Sequence, residues 1–169
     1  MKSKNAFFLV VPMVLGLFQV VWTRAGAHAA PSPRTLKVKL NYTGTGAVDE
    51  KHRIYVMVFD ANPYTASSLV DATSQPTPPA PSPGVSHILR RESGATRNAT
   101  ITFRELAASP VFAMAFFDRS GTYNGHVDPA SGSPMGGYGT SLDKLEPIQL
   151  DSDKIVEITL SFDDSKSTP

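Results

Sequence analysis

Cysteine is absent from this chain of 169 residues. Its absence excludes disulfide bonds, a thiol nucleophile, a cysteine-ligated zinc site and a lipid anchor on an N-terminal cysteine. A chain of this kind must be held together by packing alone, which its length permits. Helical hydrophobic periodicity is also missing after residue 30, so no helix is predicted there.

Long hydrophobic runs are scarce, and the one that exists lies at the N-terminus. Lys2 and Lys4 precede an apolar run over residues 6–22, and Ala-His-Ala follows at 27–29. A basic start, an apolar centre and an Ala-x-Ala site are typical of a cleaved secretory signal peptide. The alternative is a membrane anchor, for which the run has about the minimum length. We favour cleavage after residue 29 and predict that the protein is periplasmic or secreted, with no membrane insertion afterwards.

An excess of basic charge is lacking once the signal is removed. Residues 1–29 contain three of the 16 basic residues and none of the 15 acidic ones, so the remainder carries a net charge of −2. No basic stripe is left to indicate nucleic-acid binding. The remaining residues 30–169 have the size of a single domain.

Short strands are predicted over most of residues 30–169. Residues 35–42 and 154–162 alternate between apolar and polar, which is typical of half-buried strands. Residues 53–60 and 111–117 are apolar on both faces, as central strands are. Residues 85–91 end in two arginines, which favours an edge strand. About seven strands separated by turn residues predict an all-β fold, a two-sheet sandwich.

Two segments are predicted to lie outside the strands. Residues 72–84 are rich in proline, which cannot donate along a ladder, so we interpret them as a surface loop within the domain. A proline-rich ligand for a partner is the alternative function of this segment. Residues 163–169 are polar, and we expect this C-terminal tail to fray.

The most distinctive stretch is a strand followed by a long polar loop. The strand ends at Asp118, and the loop over 118–141 is rich in Gly, Ser and Asp and closes on Gly137-Tyr138-Gly139. From residue 101 onward the pattern resembles the DUF2141 family of bacterial exported domains of unknown function. The specific part is Gly-Ser-Pro-Met-Gly-Gly-Tyr-Gly-Thr-Ser over 132–141. The resemblance implies an immunoglobulin-like or prealbumin-like sandwich, and it implies no catalytic activity.

The loop offers two kinds of candidate site. Tyr123, His126 and Tyr138 are the candidate ligand-binding residues, because loops on rigid sandwiches commonly carry recognition. Alternating oxygen side chains also suggest a calcium site, with Asp118, Ser120 and Asp128 as candidate ligands. The competing interpretation is that Asp118 and Ser120 hold the loop through hydrogen bonds to its own backbone.

Three functions follow from these candidates. We favour an exported, non-catalytic binding module without a cofactor, which recognises a glycan, a peptide or an envelope protein through the loop 118–141. The second hypothesis is a structural module of the cell envelope stabilised by calcium. The third is a hydrolase, and it is the weakest because no Gly-x-Ser-x-Gly elbow is present in a strand–turn–helix context.

Overall fold

A computed structural model of the chain describes residues 33–77, 79–125 and 128–168. The signal-peptide prediction for 1–29 therefore lies outside the described residues, as do Pro78, His126 and Pro169. Ten strands are described, and they follow in chain order: β1 (Arg34–Tyr42), β2 (Ile54–Phe59), β3 (Ser68–Asp71), β4 (Val85–Gly94), β5 (Thr100–Leu106), β6 (Phe112–Phe117), β7 (Met135–Gly137), β8 (Gly139–Ser141), β9 (Lys144–Leu145) and β10 (Ile155–Phe162). No helix occurs in these ranges, so the all-β prediction is confirmed.

The strands form two principal sheets that pack together. The three-stranded sheet has the order β10-β1-β5, and the five-stranded sheet has the order β3-β4-β2-β6-β7. Most neighbours are antiparallel, but β1 runs parallel to β10 and β3 runs parallel to β4. Strands β8 and β9 form a separate two-stranded ladder. All of these strands belong to one compact unit, Pro31–Pro169.

The main core lies between the two sheets. The alternation seen in the sequence supplies it, because every second residue of β1 turns inward. Leu36 and Val38 are fully buried there, as are Ala113 and Ala115 from β6. The small alanine side chains leave room for the opposing sheet, and Phe117 fills the space near the strand end.

The outer face of the five-stranded sheet is apolar as well. Phe59, Ile88, Met114 and Leu145 form a second buried cluster on this side. The sequence pattern of β2 and β6 predicted burial on both faces. The structure confirms it for β6, whereas Tyr55 and Met57 on the outer face of β2 are half-buried. The outer layer consists of loops and the short strands that follow β6, so this face is only partly covered.

Two local predictions are wrong. Strand β4 is not an edge strand, because β3 pairs with it on one side and β2 on the other. The tail beyond β10 is not frayed in its described part. The Lys166 carbonyl accepts a hydrogen bond from the Met135 N–H at 3.0 Å, and the Thr168 N–H donates to the Ser133 carbonyl at 2.9 Å. These bonds extend the five-stranded sheet beyond β7.

Asp164 fixes the start of this tail. Its carboxylate accepts hydrogen bonds from the Tyr42 hydroxyl at 2.5 Å and from the Thr45 N–H at 2.9 Å, and it forms an ion pair with Arg119 at 3.0 Å. Hydrogen bonds from Thr45 and then from Tyr42 hold the pKa of Asp164 well below its ordinary value of 3.8. Burial, and next the bond to Asp164, raises the pKa of Tyr42 to about 12. The tail is therefore anchored by charge as well as by main-chain pairing.

The proline-rich segment forms no strand at its described positions. It connects β3 to β4, and Thr77 and Pro79–Pro81 face Ala107–Pro110 across a cavity of about 540 Å³. Among the described residues there is no helix of the length and apolar character needed to cross a membrane.

Candidate functional site

The loop after β6 folds back because Asp118 holds it. This carboxylate is only 1 % exposed. One oxygen accepts hydrogen bonds from the Ser120 hydroxyl at 2.7 Å and the Gly121 N–H at 3.0 Å, and the other accepts from the Tyr123 N–H at 2.8 Å. Gly121 has a φ of +65°, and a Cβ there would press on Lys51, so glycine suits this turn. The result is a tight loop that returns over the outer face of the sheet.

The loop places Tyr123 against the outer face of the five-stranded sheet. Its ring meets Tyr55 and Phe116 edge-on, with centroid separations of 4.6 and 4.8 Å, while Tyr55 and Phe116 stack on each other at 5.3 Å. Three rings in these geometries stabilise the contact beyond their buried area. Burial raises the pKa of the Tyr123 hydroxyl above its ordinary value of 10.0.

Arg91 joins this aromatic cluster to the edge of the sheet. Its guanidinium lies 5.8 Å from the centre of the Tyr123 ring. It donates to the Gly125 carbonyl at 2.6 Å and to a carboxylate oxygen of Asp71 at 3.0 Å. Burial opposes ionisation of Asp71, but hydrogen bonds from Thr73 and Arg91 outweigh it and lower the pKa of Asp71. Asp71 is therefore a carboxylate, and Arg91 is fixed in place.

These residues surround a groove with a volume of about 390 Å³. We call it the outer groove. Its lining combines an apolar floor with a charged rim, and it consists of Met57, Leu69, Asp71, Ile88, Arg91, Tyr123, Gly125, Asp128 and Pro129. Aromatic and methionine side chains beside a few fixed polar groups are typical of recognition sites.

The three predicted ligand-binding residues do not all lie together. Tyr123 lines the outer groove. Tyr138 lies in a different depression beside Glu146, Thr159 and Ser161, and it packs against the main core. His126 is outside the described residues, although Gly125 before it lines the outer groove.

The Gly-Tyr-Gly block has a structural role at its centre. Gly139 has a φ of +144°, and a Cβ there would collide with the Lys144 carbonyl oxygen. The Tyr138 main chain bonds to Ala113 on one side and to Glu146 on the other, at 2.9 and 2.8 Å. This segment therefore passes from the five-stranded sheet into the β8–β9 ladder with little room for side chains.

The three candidate calcium ligands are arranged as follows. Both carboxylate oxygens of Asp118 accept hydrogen bonds from the loop, and the Ser120 hydroxyl is part of that set. Asp128 is exposed and lines the outer groove. No group of three or more His, Asp or Glu in the described ranges could hold a metal ion. The contacts of Asp118 are those expected if it holds the loop.

Sequence reasoning missed Arg91 for a specific reason. In a regular strand, residues two apart share a face, so Arg90 would lie on the outer face with Ile88. The register with β2 shifts between Val58 and Phe59, however, so that Ile88 pairs with Phe59 and Arg91 pairs with Met57. Such a bulge inserts one residue and moves the following side chains to the other face. Only the pairing with β2 reveals it.

A buried Asp60–His87 pair was also missed. The His87 Nδ1 lies 2.7 Å from Asp60 Oδ2, and the His87 N–H donates to Asp60 Oδ1 at 2.7 Å. A carboxylate beside an imidazole is part of a catalytic triad. The nearby Ser86 hydroxyl, however, donates to the Ala61 carbonyl at 2.7 Å. The pair ties the end of β2 to the start of β4.

Comparison of the chain with protein-family models, with curated proteins and with solved structures finds no match.

Proposed function

We propose that this protein is an exported, non-catalytic binding module that recognises its partner through the outer groove. The observation that carries the proposal is the fixed arrangement of Arg91 and Tyr123 above an apolar floor. Arg91 is held by two hydrogen bonds and Tyr123 by two aromatic contacts, so neither needs to be ordered when a partner binds. A preorganised site loses less entropy on binding than a mobile one.

The floor of the groove supports the same function. Met57 and Ile88 supply apolar area on a rigid sheet, and Leu69 at the edge is 52 % exposed. Leu69 thus continues the apolar area of Met57 and Ile88, and contiguous apolar area with a polar rim marks interaction sites. A loop placed by such a scaffold is a common location for recognition.

The wider setting of this function is also a proposal. The apolar run over 6–22 and the Ala-x-Ala site at 27–29 support cleavage of a signal peptide and action in the periplasm or outside the cell. The resemblance of residues 132–141 to the DUF2141 family supports an immunoglobulin-like or prealbumin-like type for the two packed sheets. The partner is a glycan, a peptide or an envelope protein, and the net charge of −2 after cleavage disfavours nucleic acid.

Two tyrosine variants test the location of the site. The chain from residue 30 is screened against a glycan array and a panel of extended peptides, beside its Tyr123→Ala and Tyr138→Ala variants. We expect Tyr123→Ala to weaken binding by at least about tenfold, the loss of roughly 1.4 kcal/mol. Tyr138→Ala is the matched control, because it removes the same ring from a different depression. Loss of binding in Tyr138→Ala alone would move the site to that depression and refute the proposal.

A further inference from the structure

The open edge of the five-stranded sheet borders the outer groove. Strand β3 is the last strand of that sheet and pairs with β4 alone among the described strands. The N–H groups of Ser68 and Ala72 donate toward β4, to carbonyls 3.2 and 3.1 Å away. Main-chain groups along a strand alternate sides from one residue to the next. Leu69 and Asp71 therefore turn their N–H and C=O groups toward the open edge.

The two edges of this sheet differ. At the β7 edge, the C-terminal tail continues the pairing through a bridge between Pro134 and Ser167. At the β3 edge, all four residues of Ser68–Asp71 are exposed, and none of them is a lysine or a proline. Lysine, proline and bulges are among the devices that protect edge strands, and β3 has none of the three; its short length and Asp71 are its protection. This edge has the features of a strand that accepts another strand.

The side chains of β3 connect this edge to the groove. Leu69 and Asp71 both line the outer groove, so their side chains lie on its face. A strand added beside β3 would place alternate side chains over the same groove. The first of these two side chains would lie against the apolar floor. The second would meet a rim with one net negative charge, because Arg91 already pairs with Asp71 and the exposed carboxylate of Asp128 adds to them.

We propose that the partner is an extended peptide segment that adds to β3 as a further strand, an inference that rests on the function proposed above. Its main chain bonds to Leu69 and Asp71, its apolar side chain enters the groove, and a lysine or arginine two residues away pairs with the exposed carboxylate of Asp128. Strand addition of this kind takes affinity from the main chain and specificity from alternate side chains. A second copy of the chain fits less well, because Ser68–Asp71 contains no basic residue.

The test uses capped peptides of the form Thr-X-Thr-Z-Thr. X is Leu, Ile or Phe, and Z is Lys, or Glu in the matched control. Binding is measured by NMR titration of the chain from residue 30, with amide exchange rates read at individual residues. We expect the Lys peptides to bind at about 1 mM or below, to bind at least about tenfold better than the Glu peptides, and to slow exchange at Leu69 and Asp71.

Leu69→Pro isolates the main-chain contribution. It removes an N–H that faces the open edge, where proline is tolerated, and it does not remove the N–H groups by which Ser68 bonds to Gly84 and Ala72 bonds to Ile88. Leu69→Thr is its control, because it keeps the N–H and shortens the side chain. We expect binding to be lost in the proline variant and retained in the threonine variant.

The remaining outcomes overturn the inference. Strand addition is excluded if the peptides bind the Leu69→Pro variant with the same affinity as the unaltered chain, or if they do not bind at about 1 mM. It is also excluded if the chain forms a dimer that Leu69→Pro dissociates. A glycan whose binding depends on Tyr123 but not on Leu69 would overturn this inference and leave the proposed function standing. If no ligand of either class depends on Tyr123, both fail.

Discussion

Asp118→Ala provides the sharpest test of how the site is held. The substitution removes a buried carboxylate that accepts hydrogen bonds from the Ser120 hydroxyl and from the N–H groups of Gly121 and Tyr123. Each buried donor left without a partner costs about 1–3 kcal/mol. The two N–H groups alone lead us to expect a loss of about 2–6 kcal/mol in the free energy of unfolding, toward the lower end if the loop opens to water.

Asp118→Asn should be milder. Its amide oxygen can still accept from Ser120 and Gly121, while its NH₂ group faces the Tyr123 N–H, where a donor is unfavourable. We expect roughly half the loss of the alanine variant, since one of the two main-chain N–H groups, that of Gly121, keeps its acceptor. Asp128→Ala is the matched control, because it makes the same change at an exposed carboxylate and should shift stability by no more than about 0.5 kcal/mol.

Urea unfolding followed by far-UV circular dichroism is the appropriate assay. The only tryptophan of the chain is Trp22, so a chain that begins at residue 30, as the proposed cleavage would leave it, has no tryptophan fluorescence. An unchanged m-value shows that the variants differ in stability alone. If Asp118→Ala matches the unaltered chain, the hydrogen bonds do not hold the loop. If EDTA lowers the melting temperature of the unaltered chain and not of the variant, Asp118 binds calcium and our explanation is wrong, because a bound ion stabilises by mass action.

Three further predictions concern the core, the tail and the N-terminus. Phe116→Ala should lower the free energy of unfolding by about 3–5 kcal/mol, as other buried aromatic deletions do. Ala115→Glu should prevent folding, because an unpaired charge would enter the main core. Thermal unfolding checks both, and a stable Ala115→Glu variant would contradict the packing. The folded-state pKa of Asp164 is lowered, so its contribution to stability is present above its ordinary pKa of 3.8 and is lost as the pH falls below that value. Asp164→Asn should flatten the pH dependence of stability between about pH 5 and pH 2. An unchanged pH dependence would show that Asp164 does not hold the tail. N-terminal sequencing of the exported protein should begin at Ala30, and a sequence beginning at Met1 would refute the signal peptide.

Strand identity could be predicted from the sequence because it depends on local pattern. Alternation over 35–42 predicted the buried face of β1, and Leu36 and Val38 are indeed fully buried. The apolar run at 111–117 predicted burial on both faces of β6, which the structure confirms. Residues two apart in a strand share a face whatever lies elsewhere in the chain, so a short window contains this information.

Some loop chemistry was equally local. Asp118, Ser120 and Gly121 are neighbours in sequence, and turn residues bond to their own backbone without help from distant strands. The interpretation of Asp118 as a residue that holds the loop therefore needed no tertiary information. The bond partners of the two carboxylate oxygens, by contrast, are visible only in the structure.

The position of the groove was decided by tertiary structure. Arg91 and Asp71 are 20 residues apart, and Arg91 and Gly125 are 34 apart, yet hydrogen bonds join all three. Strand β4 is interior because β3 pairs with it, and a bulge against β2 turns Arg91 outward. Tyr123 and Tyr138 lie in one loop of the sequence but line different depressions. Such placements follow from which strands pair and in which register, and those contacts join residues that no local pattern relates.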